Sequence, residues 1–386
     1  MGHRNTIFAQ LTTFLPRSAF QKQVCSFGGD ARVRRFPCWS QLCSMLYAQV
    51  TGSESLRDLE TSFNAHRSCH YHMGLSEVHR STLADANEKR PWPIYMQLFY
   101  IMASKFKELK RSNPIRISNK LFTWDSTTIE LCLSVFDWAK FRQTKGAIKL
   151  HVKYDHGHSI PKVFVVTDGK THDVKVARRY RIEKDSILLV DRAYTDFEFL
   201  HSIDQGGAFF VTRLKSNARY KVIERRKVNR KLGVTSDQTI RMTGPVTKKK
   251  YPGCLRRIRY VNPHDGKPYV FITNNFKWAP RTIARLYKCR WEVELFFKWI
   301  KQHLNIKTFL GTSLNAVMIQ ICVAIIAFLL IALIKHRSRS SLSCLEVQRK
   351  IKSTIFHRTD LDPLINGPPN QQPDHRLRNQ LMLNLN

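Results

Sequence analysis

Tyr287, Arg290, Glu294 and Lys301 set a phenol, a guanidinium, a carboxylate and an ammonium at steps of three, four and seven residues. At about 3.6 residues per turn these steps fall on one helical stripe, which Lys298 also borders. The spacing therefore predicts a single helix from Tyr287 through Lys301 with these groups on one face. A carboxylate among cations and aromatics suits a surface that holds a metal ion and a phosphate together. An amphipathic helix with a charged edge fits the same segment. Glu292 precedes Glu294 by two positions, so it points away from the stripe and is not its equivalent.

Two earlier acids sharpen the choice. Phe122-Thr123-Trp124-Asp125-Ser126-Thr127-Thr128-Ile129 reads as a β-branched and aromatic strand interrupted by one acid. Ser186-Ile187-Leu188-Leu189-Val190-Asp191 is an apolar run that ends on one. An isolated charge in an interior strand is costly, so acids placed there suggest metal ligation or catalysis. Either alone fits a turn or cap aspartate. Three such carboxylates, on two strands and a later helix, form a stronger combined signal.

Together these residues resemble the DDE transposases of the insertion-sequence-four type. In that family the third catalytic acid lies in a helix with the pattern Tyr, two residues, Arg, three residues, Glu, six residues, Lys. Tyr287, Arg290, Glu294 and Lys301 match it without a gap. Asp125 sits in the context of the first aspartate, and Asp191, within Val190-Asp191-Arg192-Ala193-Tyr194, in that of the second. The similarity runs from about residue 8 to residue 335. It implies a ribonuclease H-like core in which Asp125, Asp191 and Glu294 are catalytic and ligate metal, with Asp125 bridging two ions. Oxygen ligands favour Mg²⁺, with Mn²⁺ able to substitute, and two such ions can activate water and stabilise a departing 3′ oxygen. Arg290 and Lys301 would hold phosphates near the cut, and Tyr287 would hydrogen-bond a backbone phosphate. The implied reaction is cleavage at an element's terminal inverted repeats and joining of the freed 3′ hydroxyl to target DNA. A homodimer and a hairpin intermediate also belong to that expectation.

Composition agrees. Lys and Arg number 64 against 29 Asp and Glu, a formal net charge of +35 on 386 residues. Such an excess implies a polyanionic partner, because each cation that neutralises a phosphate releases condensed counterions. The longest apolar run, Ile321 to Ile334, has 14 residues. A membrane span needs about 20, so a buried core helix is expected. No signal peptide is recognised at the start. The nine cysteines contain no CxxC pair and are read as free thiols of a reducing cytoplasm, in a protein associated with the nucleoid.

The expected architecture is α/β, a mixed sheet flanked by helices. Residues 1–112 read as a helical DNA-binding domain, 113–216 as the first part of the catalytic core and 217–278 as a mostly β insertion. Residues 279–340 complete the core and 341–386 form a carboxyl-terminal segment whose tail lacks packed structure. Strands are expected over 121–133, 147–154, 162–167, 187–190 and 208–212, with helices over 174–180 and 197–203. In the first domain, short helices around a tight turn permit a helix-turn-helix reader of the major groove, with Arg57, Arg80 and Lys89 as candidate contacts. The basic clusters at 225–227, 248–250 and 256–257 are expected to face DNA. Trp278 fits either stacking on an unpaired base or core packing. Asp137, Asp155 and Glu198 are read as surface acids, Asp168 and Asp173 as turn residues, and His151 and His172 as candidate phosphate contacts. Two other functions stay open: a catalytically inactive DNA-binding relative, and a structure-specific nuclease without strand transfer.

Overall fold

A computed structural model describes residues 5–112, 114–132, 135–142, 145–263, 266–303 and 309–367. Its ten strands are β1 (Leu121–Leu131), β2 (Lys140–Arg142), β3 (Lys145–Asp155), β4 (Ile160–Asp168), β5 (Ile187–Val190), β6 (Phe209–Arg213), β7 (Tyr220–Arg226), β8 (Val234–Met242), β9 (Cys254–Val261) and β10 (Pro268–Thr273). Six helices precede the sheet: α1 (Ile7–Thr13), α2 (Arg17–Ser26), α3 (Cys38–Thr51), α4 (Leu56–Asn64), α5 (Arg80–Lys89) and α6 (Pro93–Lys105). Within the sheet region lie α7 (Asp173–Ala177), α8 (Phe197–Gln205) and α9 (Pro245–Lys250). After it come α10 (Pro280–Cys289), α11 (Trp291–His303), α12 (Leu314–Arg337), α13 (Cys344–Ser353) and α14 (Leu361–Asn366).

Five strands form the centre in the order β4-β3-β1-β5-β6. β1, β3 and β4 run antiparallel, while β5 and β6 run parallel to β1. This is the ribonuclease H-like arrangement, three meandering strands followed by strands reached through helices. The alternating β-branched and aromatic residues of Leu121–Leu131 and the continuous apolar run Ile187–Val190 account for a half-covered and a fully buried strand respectively.

The β insertion does not stand apart. β10 pairs antiparallel with β6 (Phe271 opposite Arg213), and β9, β8 and β7 continue outward, so all ten strands make one sheet.

Period-two alternation sorts the two faces. Phe122, Trp124, Leu188 and Val190 pack with Val176 of α7 and with Phe199 and Leu200 of α8. Leu121, Ile187 and Leu189 pack on the opposite face with Ile283 and Leu286 of α10. Further along that second face, Ile129, Leu131 and Val152 join a larger core that includes Val293 and Phe296 of α11 and most of α12. Thr123 and Asp125 lie between the two clusters.

The helices before the sheet share that larger core with α12, α13 and α14 rather than enclosing one of their own. α3 is capped by left-handed Gly52, and the Ser55 hydroxyl accepts from the amide of Asp58 to start α4. α4 ends at Asn64 and α5 begins at Arg80, so fifteen residues with two 3₁₀ turns separate them. A helix-turn-helix joins its pair through about three or four residues, a spacing that the four residues between α3 and α4 match and the α4–α5 connection does not. α12 is long and apolar enough to cross a membrane, yet residues 316–334 are all buried within the fold. The tail departs from expectation at its start, since Leu361 and Ile365 of α14 are buried; residues 368–386 lie outside the described set.

Candidate active site

β1 and β5 are in parallel register with Trp124 opposite Val190, so Asp125 and Asp191 leave the two strands at the same level. With side chains alternating, both acids belong to the face covered by α10 and α11. Asp125 lies within β1, whereas Asp191 follows β5 and opens a 3₁₀ turn over Arg192–Tyr194. The amide of Tyr194 donates to the Asp191 carbonyl at 2.9 Å, and the Thr212 hydroxyl on β6 donates to it at 3.3 Å.

The segment expected as one helix is two. α10 ends at Cys289 and α11 begins at Trp291. At the joint the amide of Arg290 donates to the Tyr287 carbonyl, and the amide of Val293 to the Arg290 carbonyl, both three residues back. That tighter turn draws the Arg290 side chain inward. Its Nη1 donates to Oδ2 of Asp125 at 2.8 Å and its Nη2 to Oε1 of Glu294 at 2.5 Å. From α10, the Tyr287 hydroxyl donates to Oδ1 of Asp191 at 3.2 Å. The Arg290 guanidinium also stands 5.6 Å from the centre of the Tyr287 ring. One arginine and one tyrosine thus link residues far apart in sequence into a single polar cluster.

The electrostatics follow from burial. Desolvation pushes the Asp125 carboxyl up to about 6, against the Arg290 charge and the Ser126 amide, which pull it down. Burial likewise raises the Tyr287 phenol to about 12. Arg290 has a buried Nε with no hydrogen-bond partner in the structure. Among the described residues no three His, Cys, Asp or Glu side chains stand close enough to hold one ion. The positive charge between Asp125 and Glu294 is the Arg290 guanidinium. The donors are nonetheless of the right kind, since carboxylate oxygens suit a hard divalent ion, and Asp125 and Glu294 already neutralise a cation there.

Other expected contacts fall differently. The Lys301 ammonium donates to the Thr128 carbonyl of β1 at 2.7 Å, which holds α11 along that strand. Lys298, Arg80 and Lys89 are exposed, and Lys89 forms an ion pair with Asp85 at 3.3 Å. Half-buried Trp278 packs its ring edge-on against Phe209 at 5.2 Å beside the core beneath α10, which matches the packing alternative for it. Arg256 is buried and bonds both carboxylate oxygens of Asp237, at 2.9 and 2.6 Å, because an interior cation needs a partner. Arg257 is engaged with Gln238 and the Tyr220 ring. Arg256 is therefore structural rather than DNA-facing, while Arg257 stays half-buried. Asp155, read as a surface acid, is buried between Arg111 and His158. His151 is buried as well, which removes it from phosphate contact. Asp168 caps a turn at Thr171, whereas Asp173 accepts from the Ser126 hydroxyl at 2.8 Å.

His156 carries no signal in the sequence, and neither does its link to Glu292. Buried His156, just after β3, lies 2.7 Å from the Thr123 hydroxyl through Nε2 and 3.0 Å from Glu292 through Nδ1. Glu292 was set aside because it leaves the catalytic stripe, and no local spacing announces a partner 136 residues away.

Residues 120–330 match the family described as Transposase DDE domain, and residues 3–76 match one described as Domain of unknown function (DUF4372). A putative transposase, y4zB, of Sinorhizobium fredii (strain NBRC 101917 / NGR234) is 34% identical over 298 residues, covering 76% of this chain and 82% of the relative. A probable transposase for insertion sequence element IS5377 of Geobacillus stearothermophilus is 30% identical over 285 residues, covering 72% and 74%. Among solved structures, the piggyBac transposase in a synaptic complex with hairpin DNA aligns at 11% identity and a TM-score of 0.47, covering 94% of this chain and 85% of that one. The sequence matches span more than half of the chain, and the insertion-sequence-four resemblance is consistent with them. The chain belongs to the DDE transposases, metal-dependent enzymes of DNA transposition, and its relatives are named as transposases of insertion sequences.

Proposed function

We propose that this transposase works through Asp125, Asp191 and Glu294 as divalent-ion ligands, which close onto metal from the cluster that Arg290 and Tyr287 hold together. The observation that carries the reading is the Arg290 guanidinium bonded at once to Asp125 and Glu294. It supports a pocket built to hold positive charge between carboxylates. Two Mg²⁺ or Mn²⁺ ions held there would supply an activated water and stabilise the departing 3′ oxygen.

The remaining work belongs to side chains. Arg290 and Lys301 would hold scissile and flanking phosphates, and Tyr287 would donate its hydroxyl to a backbone phosphate. A phosphodiester displacement depends mainly on such positioning and charge neutralisation. The DNA would be the terminal inverted repeats of the element, cut and then joined through a 3′ hydroxyl to target DNA by a homodimer. The charge of +35 supports extended contact with DNA in the nucleoid. We assign repeat recognition to the helices of residues 1–112, with exposed Arg57, Arg80 and Lys89 as contacts and Lys298 beside the catalytic face.

The test is an assay with Mg²⁺, duplex carrying the element's ends and a target plasmid. Cleavage followed by joining is expected. Cleavage without joining would support a nuclease instead, and binding without cleavage an inactive relative.

A further inference from the structure

Besides the Lys301 bond to the Thr128 carbonyl, two parallel side-chain bridges tie β1 to the start of α11, and only one of them involves proposed catalytic acids. Asp125 and Glu294 meet through Arg290. Thr123, two residues earlier on the same strand face, meets Glu292, two residues earlier on the helix, through His156. The His156 imidazole is fully buried, and Thr123 is buried with it. The backbone fixes the ring's position further, since the His156 amide donates to the Leu121 carbonyl at 3.1 Å. A carboxylate only accepts, so Nδ1 carries the proton toward Glu292, while Nε2 and the Thr123 hydroxyl share one at 2.7 Å.

We infer that His156 and Glu292 are positioning residues that set the rotation of α11 and so aim Glu294 at Asp125. The inference rests on the reading of Glu294 as a catalytic acid. The break at Arg290 is what makes such a device necessary. A helix continuous from Tyr287 would inherit its rotation from α10, which is fixed by burial of Ile283 and Leu286. α11 starts afresh at Trp291. Residues two apart on a helix are turned by about 200° from one another, so Glu292 and Glu294 leave α11 on opposite sides. Holding Glu292 against a buried imidazole fixes the helix from one side and leaves Glu294 defined on the other. Apolar packing of Val293 and Phe296 presses the helix down but is tolerant of small rotations. A directional hydrogen bond is not.

The test compares Glu292→Ala, Glu292→Gln, His156→Ala, the double Ala variant and Glu294→Gln, using the full chain, Mg²⁺ and duplex carrying the element's ends. Misplacement of a reacting group by about 1 Å costs about a hundredfold. Glu292→Ala is therefore expected to lower the single-turnover cleavage rate by about ten- to a hundredfold, with DNA affinity close to wild type and a modest fall in melting temperature from the buried Nδ1 proton left without its acceptor. Glu292→Gln keeps an oxygen that can accept from Nδ1 and is expected to restore most of the rate. The double variant is expected to be no slower than the slower single one, as for two halves of one bridge. Wild-type cleavage by Glu292→Ala, additive losses, or a Gln variant as slow as Ala would overturn the inference. Glu294→Gln separates this from failure of the underlying reading: if it cleaves, the catalytic assignment itself is wrong.

Discussion

Nη1 of Arg290 lies 2.8 Å from Oδ2 of Asp125, across 165 positions of sequence. The contact joins the turn between α10 and α11 to the middle of the central strand, and Nη2 of the same guanidinium reaches Glu294. Lysine carries the same charge but lacks a planar fork that spans two carboxylates. Arg290→Lys is expected to cleave at least about tenfold more slowly. Arg290→Ala is expected to lose about a hundredfold or more, the scale of removing one oriented donor from a developing charge. Calorimetry should find Mn²⁺ binding to the Ala variant at least as tight as to wild type, because the competing cation is gone. Wild-type cleavage rates in Arg290→Ala would refute this role.

Asp125 gives a pH prediction. Burial, the largest influence, raises its pKa from 3.8 to about 6. A carboxyl with a higher pKa folded than unfolded holds more protons in the folded state between those values. Its contribution to stability is therefore greatest below the unfolded pKa and falls as pH rises through the folded one, by about 3 kcal/mol. In buffer containing chelator, Asp125→Asn removes that fall. Denaturant titrations from about pH 4 to about pH 7 are expected to show the variant gaining on wild type by this amount. A difference independent of pH would contradict the assignment.

Much of this was legible in sequence, for identifiable reasons. Leu121–Leu131 and Ile187–Val190 announce themselves because β-branched and apolar runs have few other uses. The three acids could be named because strand-borne carboxylates are costly and because the Tyr287–Lys301 spacing is specific. The break at Arg290 was hidden, since the residues on both sides keep a helical period. The His156–Glu292 bridge was hidden too, because its halves lie on separate elements. Basic residues misled where charge was taken for exposure: Arg256 looks like its exposed neighbours in sequence, and only the fold brings Asp237 to it. The continuity of the insertion with the core sheet depends on the pairing of β10 with β6, which no local pattern encodes.

Arg256 and Asp237 supply a stability test. Both side chains are buried, and Asp237 accepts two hydrogen bonds from Arg256. Asp237→Ala strands the guanidinium and is expected to cost about 3–5 kcal/mol of unfolding free energy. Exchange of Arg256 for an apolar residue together with Asp237 should cost less. Equal losses in the single and paired variants would count against a buried pair.

Trp278 separates packing from DNA contact. Its ring meets Phe209, and its carbonyl accepts from Arg256 at 2.6 Å. Trp278→Ala is expected to lower stability by about 2–3 kcal/mol, less than full burial would imply. Affinity for single-stranded and duplex DNA should stay near wild type when measured well below the melting temperature. A large loss of single-strand affinity without destabilisation would reverse the interpretation.

The central claim is that Asp125, Asp191 and Glu294 act as one catalytic unit, and cleavage of end-bearing duplex in Mg²⁺ by Asp125→Asn, Asp191→Asn and Glu294→Gln tests it most directly. The account predicts that all three variants bind the duplex and none cleaves it. Cleavage at the wild-type rate by any one of them would contradict it.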